Sequence, residues 1–121
     1  MAKILIVDDA AFMRMLIRNT LTTNGYTNIL EAADGEIAVS TYSAEKPDLV
    51  IMDITMPNKT GIEALKEIRR HTTQLPVIMQ TAYAFDTDRR IAEEAGCNGF
   101  ITKPVMPREL KMYLDMSLKK A

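Results

Sequence analysis

The sequence predicts an α/β fold in which five parallel strands form one sheet with helices on both faces. Two hydrophobic periods alternate along the 121 residues, a short apolar run followed by a stretch at helical spacing, and the pair recurs five times. The apolar runs are nearly continuous rather than alternating, as expected of strands buried on both faces. No linker, low-complexity segment or repeat of sequence interrupts the alternation, so residues 1–121 read as a single domain.

Lys3 to Val7 is the first apolar run and the first predicted strand. Met13, Leu16, Ile17 and Leu21 then recur at helical spacing, and Gly25 suits a left-handed cap that closes the helix. Asn28 to Ala33 is a weaker strand. The Asp34-Gly35 turn leads into a helix whose expected stripe is Ile37, Ala38, Thr41 and Tyr42, and Pro47 ends it. Leu49 to Asp53 is the third strand, and Ile62, Leu65 and Ile68 mark the third helix. Pro76 to Gln80 is the fourth strand; Ile91, Ala92 and Ala95 line a helix that stops at Gly96. Gly99 to Thr102 is the fifth strand. Leu110, Tyr113, Leu114 and Leu118 give the last helix, with Pro107 suited to its first turn. That helix runs almost to Ala121, so no output domain is expected after it.

Composition narrows the function. Hydrophobic residues make up 47% and charged residues 26%, ordinary values for a globular protein with a sizeable core. A net charge of -1 gives no footprint for nucleic acid or an anionic membrane. No apolar run approaches membrane-spanning length and no signal peptide precedes "KILIV", so a cytoplasmic location is expected. The single cysteine, Cys97, excludes an internal disulfide and reads as a small buried hydrophobe. Among the nine methionines, Met52 and Met79 lie in strands as core filler, whereas Met112 and Met116 fall partly off the last helix's apolar stripe and suit partner contact.

Ligands of open parallel sheets bind outside the carboxyl ends of the strands. Those ends carry Asp8 and Asp9, Asp53, Thr81, and Lys103 followed by Pro104. Each has a plain alternative. Asp8 or Asp9 could cap the next helix. Thr81 or Lys103 alone means little, and Pro104 could be helix punctuation or a cis bond that aims the lysine. Their conjunction on four strands at matching ends is the signal. Asp53 follows four buried apolar residues without a break, and an ionised carboxylate there is costly unless something pairs with it. Three crowded carboxylates raise one another's pKa unless a cation joins them. An all-oxygen set without His or Cys suits Mg²⁺ better than Zn²⁺, and the sole histidine, His71, reads as a surface residue. A carboxylate beside Mg²⁺ and a lysine is poised for phosphoryl transfer, with Asp53 as the attacking oxygen.

"ILIVDDAAFMR", "PDLVIMDITMP", "QTAYA" and "GFITKP" together resemble the receiver domain of two-component response regulators, the CheY-like family, over the whole chain. The resemblance implies a flavodoxin-like (βα)5 doubly wound fold with strand order 2-1-3-4-5. It implies transfer of a phosphoryl group onto Asp53 from a histidine kinase or phosphotransfer protein. It assigns Mg²⁺ to Asp9, Asp53 and the backbone carbonyl of Thr55, with Asp8 acting mainly through water, and phosphoryl contacts to Thr81 and Lys103. It also implies a switch in which Thr81 is drawn to the phosphoryl group, Phe100 moves inward, and a protein target reads the face of helix four, strand five and helix five. In the family the positions of Thr55 and Tyr83, two residues past Asp53 and Thr81, flank the phosphoryl group, and the resemblance implies that they set its lifetime. Thr60 departs from the acidic residue often found before the glycine of the loop after the acceptor. The chain reads as a stand-alone regulator or as an excised module of a hybrid kinase.

Rival functions fit less well. A haloacid-dehalogenase-type phosphatase also attacks with a strand-end Asp beside Mg²⁺, but it wants a second Asp where this chain has Thr55. A flavin carrier on the same fold wants a Ser, Thr and Gly-rich phosphate loop after strand one, where "DDAAFM" places repelling carboxylates. An interaction module without phosphorylation would not need Asp53, Thr81 and Lys103 together.

Overall fold

Strands buried on both faces need helices above and below, and that is the arrangement found. The computed structural model describes residues 2–82 and 86–118. The strands are β1 (Lys3–Val7), β2 (Asn28–Ala32), β3 (Leu49–Asp53), β4 (Val77–Thr81) and β5 (Gly99–Thr102). The helices are α1 (Ala11–Thr23), α2 (Gly35–Glu45), α3 (Gly61–Arg69), α4 (Asp86–Glu94) and α5 (Pro107–Leu118). All strand pairs are parallel, in the order β2-β1-β3-β4-β5. This is the flavodoxin-like topology that the sequence leads one to expect.

Side chains alternate faces along a strand, so each strand feeds two cores. Ile4, Ile6, Leu49, Ile51, Ile78 and Ile101 pack with Ile17 and Leu21 of α1 and Leu110 and Leu114 of α5. Leu5, Val7, Val50, Met52, Met79 and Phe100 pack on the other face, against Tyr42 of α2, Leu65 and Ile68 of α3 and Ala92 of α4. Removing a Leu or Ile side chain from water stabilises the fold by roughly 1.5–3 kcal/mol, so β3 and β4, buried throughout, contribute much of the core.

Some expected stripes are rotated. Ile37 and Ile91 are exposed, because Gly35, Ala38 and Tyr42 of α2 and Ala92 of α4 face the sheet instead. Small residues let those helices sit close, and the larger neighbours are turned to the edge. Met52 and Met79 are buried and Met112 and Met116 exposed, as their positions suggest. His71 is exposed, and Cys97 is half-buried with its thiol pKa pushed up by that burial. Among the described residues no helix is long and apolar enough to cross a membrane.

Two of the contacts that depend on glycine shape the site's strand ends and β5. A Cβ at Gly61 would overlap the backbone carbonyl of Asp53, so only glycine lets α3 begin against the end of β3. A Cβ at Gly99 would overlap the ring of Tyr113, which lies across β5 with its hydroxyl 3.4 Å from both the Phe100 nitrogen and carbonyl oxygen.

Thr60, the residue that departs from the family pattern, caps α3. Its hydroxyl accepts from the Glu63 amide at 3.2 Å, and the Glu63 carboxylate accepts from the Thr60 amide at 2.9 Å. This reciprocal pair satisfies two orphan donors of the helix start. Thr60→Ala is therefore expected to lower unfolding free energy by about 1 kcal/mol, with Thr60→Ser close to wild type. Gly61→Ala is expected to cost more, about 1–3 kcal/mol or beyond, because backbone must shift. Urea denaturation of the three variants checks the order.

Candidate functional site

The register of the sheet assembles the site. Val7 lies opposite Met52, and Asp53 lies opposite Gln80. Asp8 follows Val7, so Asp8, Asp53 and Gln80 stand side by side on three adjoining strands. Two residues earlier on each strand are Ile6, Ile51 and Ile78, all in the core beneath α1 and α5. The three polar side chains therefore share that face, at the carboxyl rim. Asp8 is fully buried and Asp53 only 5% exposed.

Lys103 reaches into this rim from the segment after β5. Its ammonium lies 2.9 Å from Asp8 Oδ2 and 3.2 Å from Asp53 Oδ2. Its backbone amide donates to the Thr81 carbonyl at 2.7 Å, and its bond to Pro104 is cis. Burial works to lower the Lys103 pKa, but hydrogen bonding and charge from Asp8 and Asp53 more than offset it, and the ammonium is held above its ordinary range.

Asp8 is tied on both oxygens. Oδ2 accepts from Lys103 and from Gln80 Nε2 at 3.1 Å, and Oδ1 accepts from the Ala10 amide at 2.9 Å. Its carbonyl accepts from Arg14 Nη1. The N-cap of α1 is Ala10 without a side-chain bond, so neither Asp8 nor Asp9 caps that helix. Asp9 is exposed, yet Asp8, Asp9 and Asp53 can each offer one carboxylate oxygen such that all three lie within 4.8 Å of one another. A hard, oxygen-seeking divalent ion fits this donor set, and the cluster could hold one.

The other expected residues fall around this centre. Thr81 is buried at the end of β4, opposite Thr102. Thr55 is exposed in the loop after β3. Phe100 is buried, with the Arg89 guanidinium 5.0 Å from its ring centroid. Tyr83 lies outside the described residues.

Sequence reasoning overlooked Gln80, which reads there as the end of an apolar strand. It also overlooked the clamp on the loop after Asp53. Asp34 Oδ1 caps α2 by accepting from the Ile37 amide at 2.8 Å, while Oδ2 accepts from Asn58 Nδ2 at 2.8 Å. The Gly35 amide donates to the Lys59 carbonyl at 3.1 Å. An Asp-Gly pair announces a turn, but nothing local reveals which distant loop it grips.

Burial pushes the Asp53 carboxyl above its ordinary range; Lys103 opposes the shift, and the charges of Asp8 and Asp9 add to it. A carboxyl with a raised folded pKa destabilises the fold as it ionises. The penalty is absent below the ordinary value of 3.8 and complete once pH exceeds the raised value. Asp53→Asn is thus expected to raise the melting temperature in chelator at neutral pH, with the gain shrinking as pH falls toward 3.8. Melts of both proteins across that range check it.

Comparison with known proteins agrees with this geometry. Residues 4–115 match the family described as response regulator receiver domain. The chain is 49% identical over 102 residues to chemotaxis protein CheY of Bacillus subtilis (strain 168), covering 84% of this chain and 85% of that protein. It is 44% identical over 113 residues to chemotaxis protein CheY of Thermotoga maritima, covering 93% and 94%. The solved structure of Vibrio cholerae chemotaxis protein CheY4 superposes with a TM-score of 0.89 at 32% identity, over 98% of this chain and 99% of that one. With acidic strand ends and a lysine in place on this fold, the chain belongs to the response regulator receiver domains, the phosphorylation-dependent switches of two-component signalling.

Proposed function

We propose that Asp53 accepts a phosphoryl group from a phosphohistidine of a histidine kinase or phosphotransfer protein, and that the change is read by a downstream protein. The observation that carries this reading is the Lys103 ammonium, already 3.2 Å from the Asp53 carboxylate at the end of a buried strand. Among the described residues Lys103 is the one hydrogen-bond donor to Asp53, and it holds Oδ2, which leaves Oδ1 for attack on phosphorus. The Asp53 O–P bond forms, the donor's P–N bond breaks, and its electron pair stays on the imidazole nitrogen, which is protonated from water. Lys103 then exchanges a carboxylate oxygen for a phosphoryl oxygen, and the Thr81 hydroxyl takes another. Hydrolysis at phosphorus returns Asp53 to its starting state, so the chain is a self-catalysing phosphoacceptor rather than an enzyme with an external substrate.

Mg²⁺ is the cofactor of this reading, with Asp9, Asp53 and the Thr55 carbonyl as direct ligands and Asp8 acting through water. When bound it neutralises the phosphoryl oxygens. The output surface is α4, β5 and α5, with Thr81 and Phe100 as the moving parts: a new dianion stabilises one of two packings by its differential contacts with each. Nothing in the charge balance calls for nucleic acid or membrane, and the cytoplasm is the compartment that suits these partners.

Intact mass after incubation with Mg²⁺ and a small acyl phosphate tests the acceptor. Wild type is expected to gain one phosphoryl mass, and Asp53→Asn, or wild type in chelator, none. Lys103→Ala is expected to slow the gain by about 10²-fold, the usual cost of losing one preorganised charge donor. An Asp53→Asn protein phosphorylated as fast as wild type would refute the assignment.

We propose, from the family resemblance alone, that Tyr83 and Thr55 set the lifetime of the phosphorylated state, Tyr83 by slowing access of the hydrolytic water. Tyr83→Ala is expected to speed loss of phosphate several-fold without changing the rate of its gain. Equal decay rates in the two proteins would remove Tyr83 from this role.

A further inference from the structure

Gln80 follows Ile78 on a face of the sheet that is aliphatic except for Asp8 and Asp53 beside it at the rim. It is fully buried, two residues after Ile78 on the same side of the sheet. Nε2 donates to Asp8 Oδ2 at 3.1 Å, and among the described residues Oε1 has no hydrogen-bond partner. A buried amide with an unsatisfied carbonyl costs stability, so folding alone favours an aliphatic side chain here. The amide's orientation is set by chemistry: only its N–H edge can face a carboxylate, which commits the carbonyl to its other edge.

The bonding of Asp8 limits what that carboxylate can offer. Two oxygens provide about four lone-pair sites, and Lys103, Gln80 and the Ala10 amide already occupy three. Among the described residues nothing takes the last site, on Oδ1. A cation that dehydrates reluctantly keeps several waters, and these need acceptors beyond the direct ligands. The open Oδ1 site and the orphaned Gln80 Oε1 are two such acceptors, held together by the Gln80–Asp8 bond.

We propose that Gln80 is a positioning residue for a hydrated divalent cation, its N–H fixing Asp8 and its Oε1 accepting a hydrogen bond from a water of the ion. This rests on the reading that Asp8, Asp9 and Asp53 hold Mg²⁺. Hydrogen-bond partners of metal-holding carboxylates typically account for 10–100-fold in metal affinity.

Thermal melts of the whole chain over a series of Mg²⁺ concentrations test this without any phosphoryl donor. An ion that binds only the folded state raises the melting temperature by an amount that grows with the logarithm of its concentration over its Kd. Gln80→Met keeps the length of the side chain and removes both polar edges. In chelator it is expected to melt at or above wild type; in Mg²⁺ it is expected to need roughly 10-fold more ion for the same rise. Gln80→Asn, which keeps both edges one methylene short, is expected to shift less, and it decides the matter if Gln80→Met does not fold. Coincident Mg²⁺ dependence in variant and wild type, or a loss confined to the melt in chelator, would show a purely structural side chain and overturn the proposal. Absence of any Mg²⁺ effect on wild type would instead bring down the metal reading on which it stands.

Discussion

Two carboxylates withdrawn from water on adjoining strands can coexist only if a cation joins them, and Lys103 is that cation. Its position explains why the chain returns to the sheet's rim after β5, where its own amide anchors to the Thr81 carbonyl. One ammonium set against three carboxylates leaves two negative charges uncompensated, the charge that a divalent ion carries. The rest of the rim is arranged around this deficit. Asp8 accepts from three donors, whereas among the described residues Asp53 accepts from Lys103 alone.

Such a site tolerates little drift, and the loop that follows Asp53 is restrained at both ends. Gly61 permits α3 to start against the Asp53 carbonyl, and its amide donates to the Ile54 carbonyl at 2.8 Å. Thr60 and Glu63 close the helix start, and Asp34 reaches from the α2 start to grip Asn58, whose backbone is left-handed at φ 68°. An acidic residue before Gly61 is thus unnecessary for a defined geometry: threonine supplies the cap, and glutamate three residues on supplies the charge.

Much of this was legible because it follows from rules that act along the chain. Apolar runs bounded by Gly and Pro locate the strands, and the carboxyl-end rule alone collects Asp8, Asp9, Asp53, Thr81 and Lys103. What escaped is decided by face and register. Ile37 and Ile91 satisfy helical periodicity, yet smaller neighbours win the sheet side because they allow closer packing. Gln80 sits within an apolar run, and its meaning appears only when β4 is set beside β3, with Asp8 one strand further on. Asp34 reads locally as a turn, and its hold on Asn58, 24 residues away, is a fact of three dimensions.

The contact between Gly99 and Tyr113 has a consequence for how this molecule can change. The aromatic ring occupies the volume that any side chain at residue 99 would need, and its hydroxyl approaches the backbone beside it. The two residues are therefore a single unit of inheritance. A lineage can fill position 99 only if position 113 shrinks and Ile78 gives way as well, and shrinking 113 first leaves a gap over β5. A chimaera that borrows α5 from a relative must bring that relative's residue 99 as well.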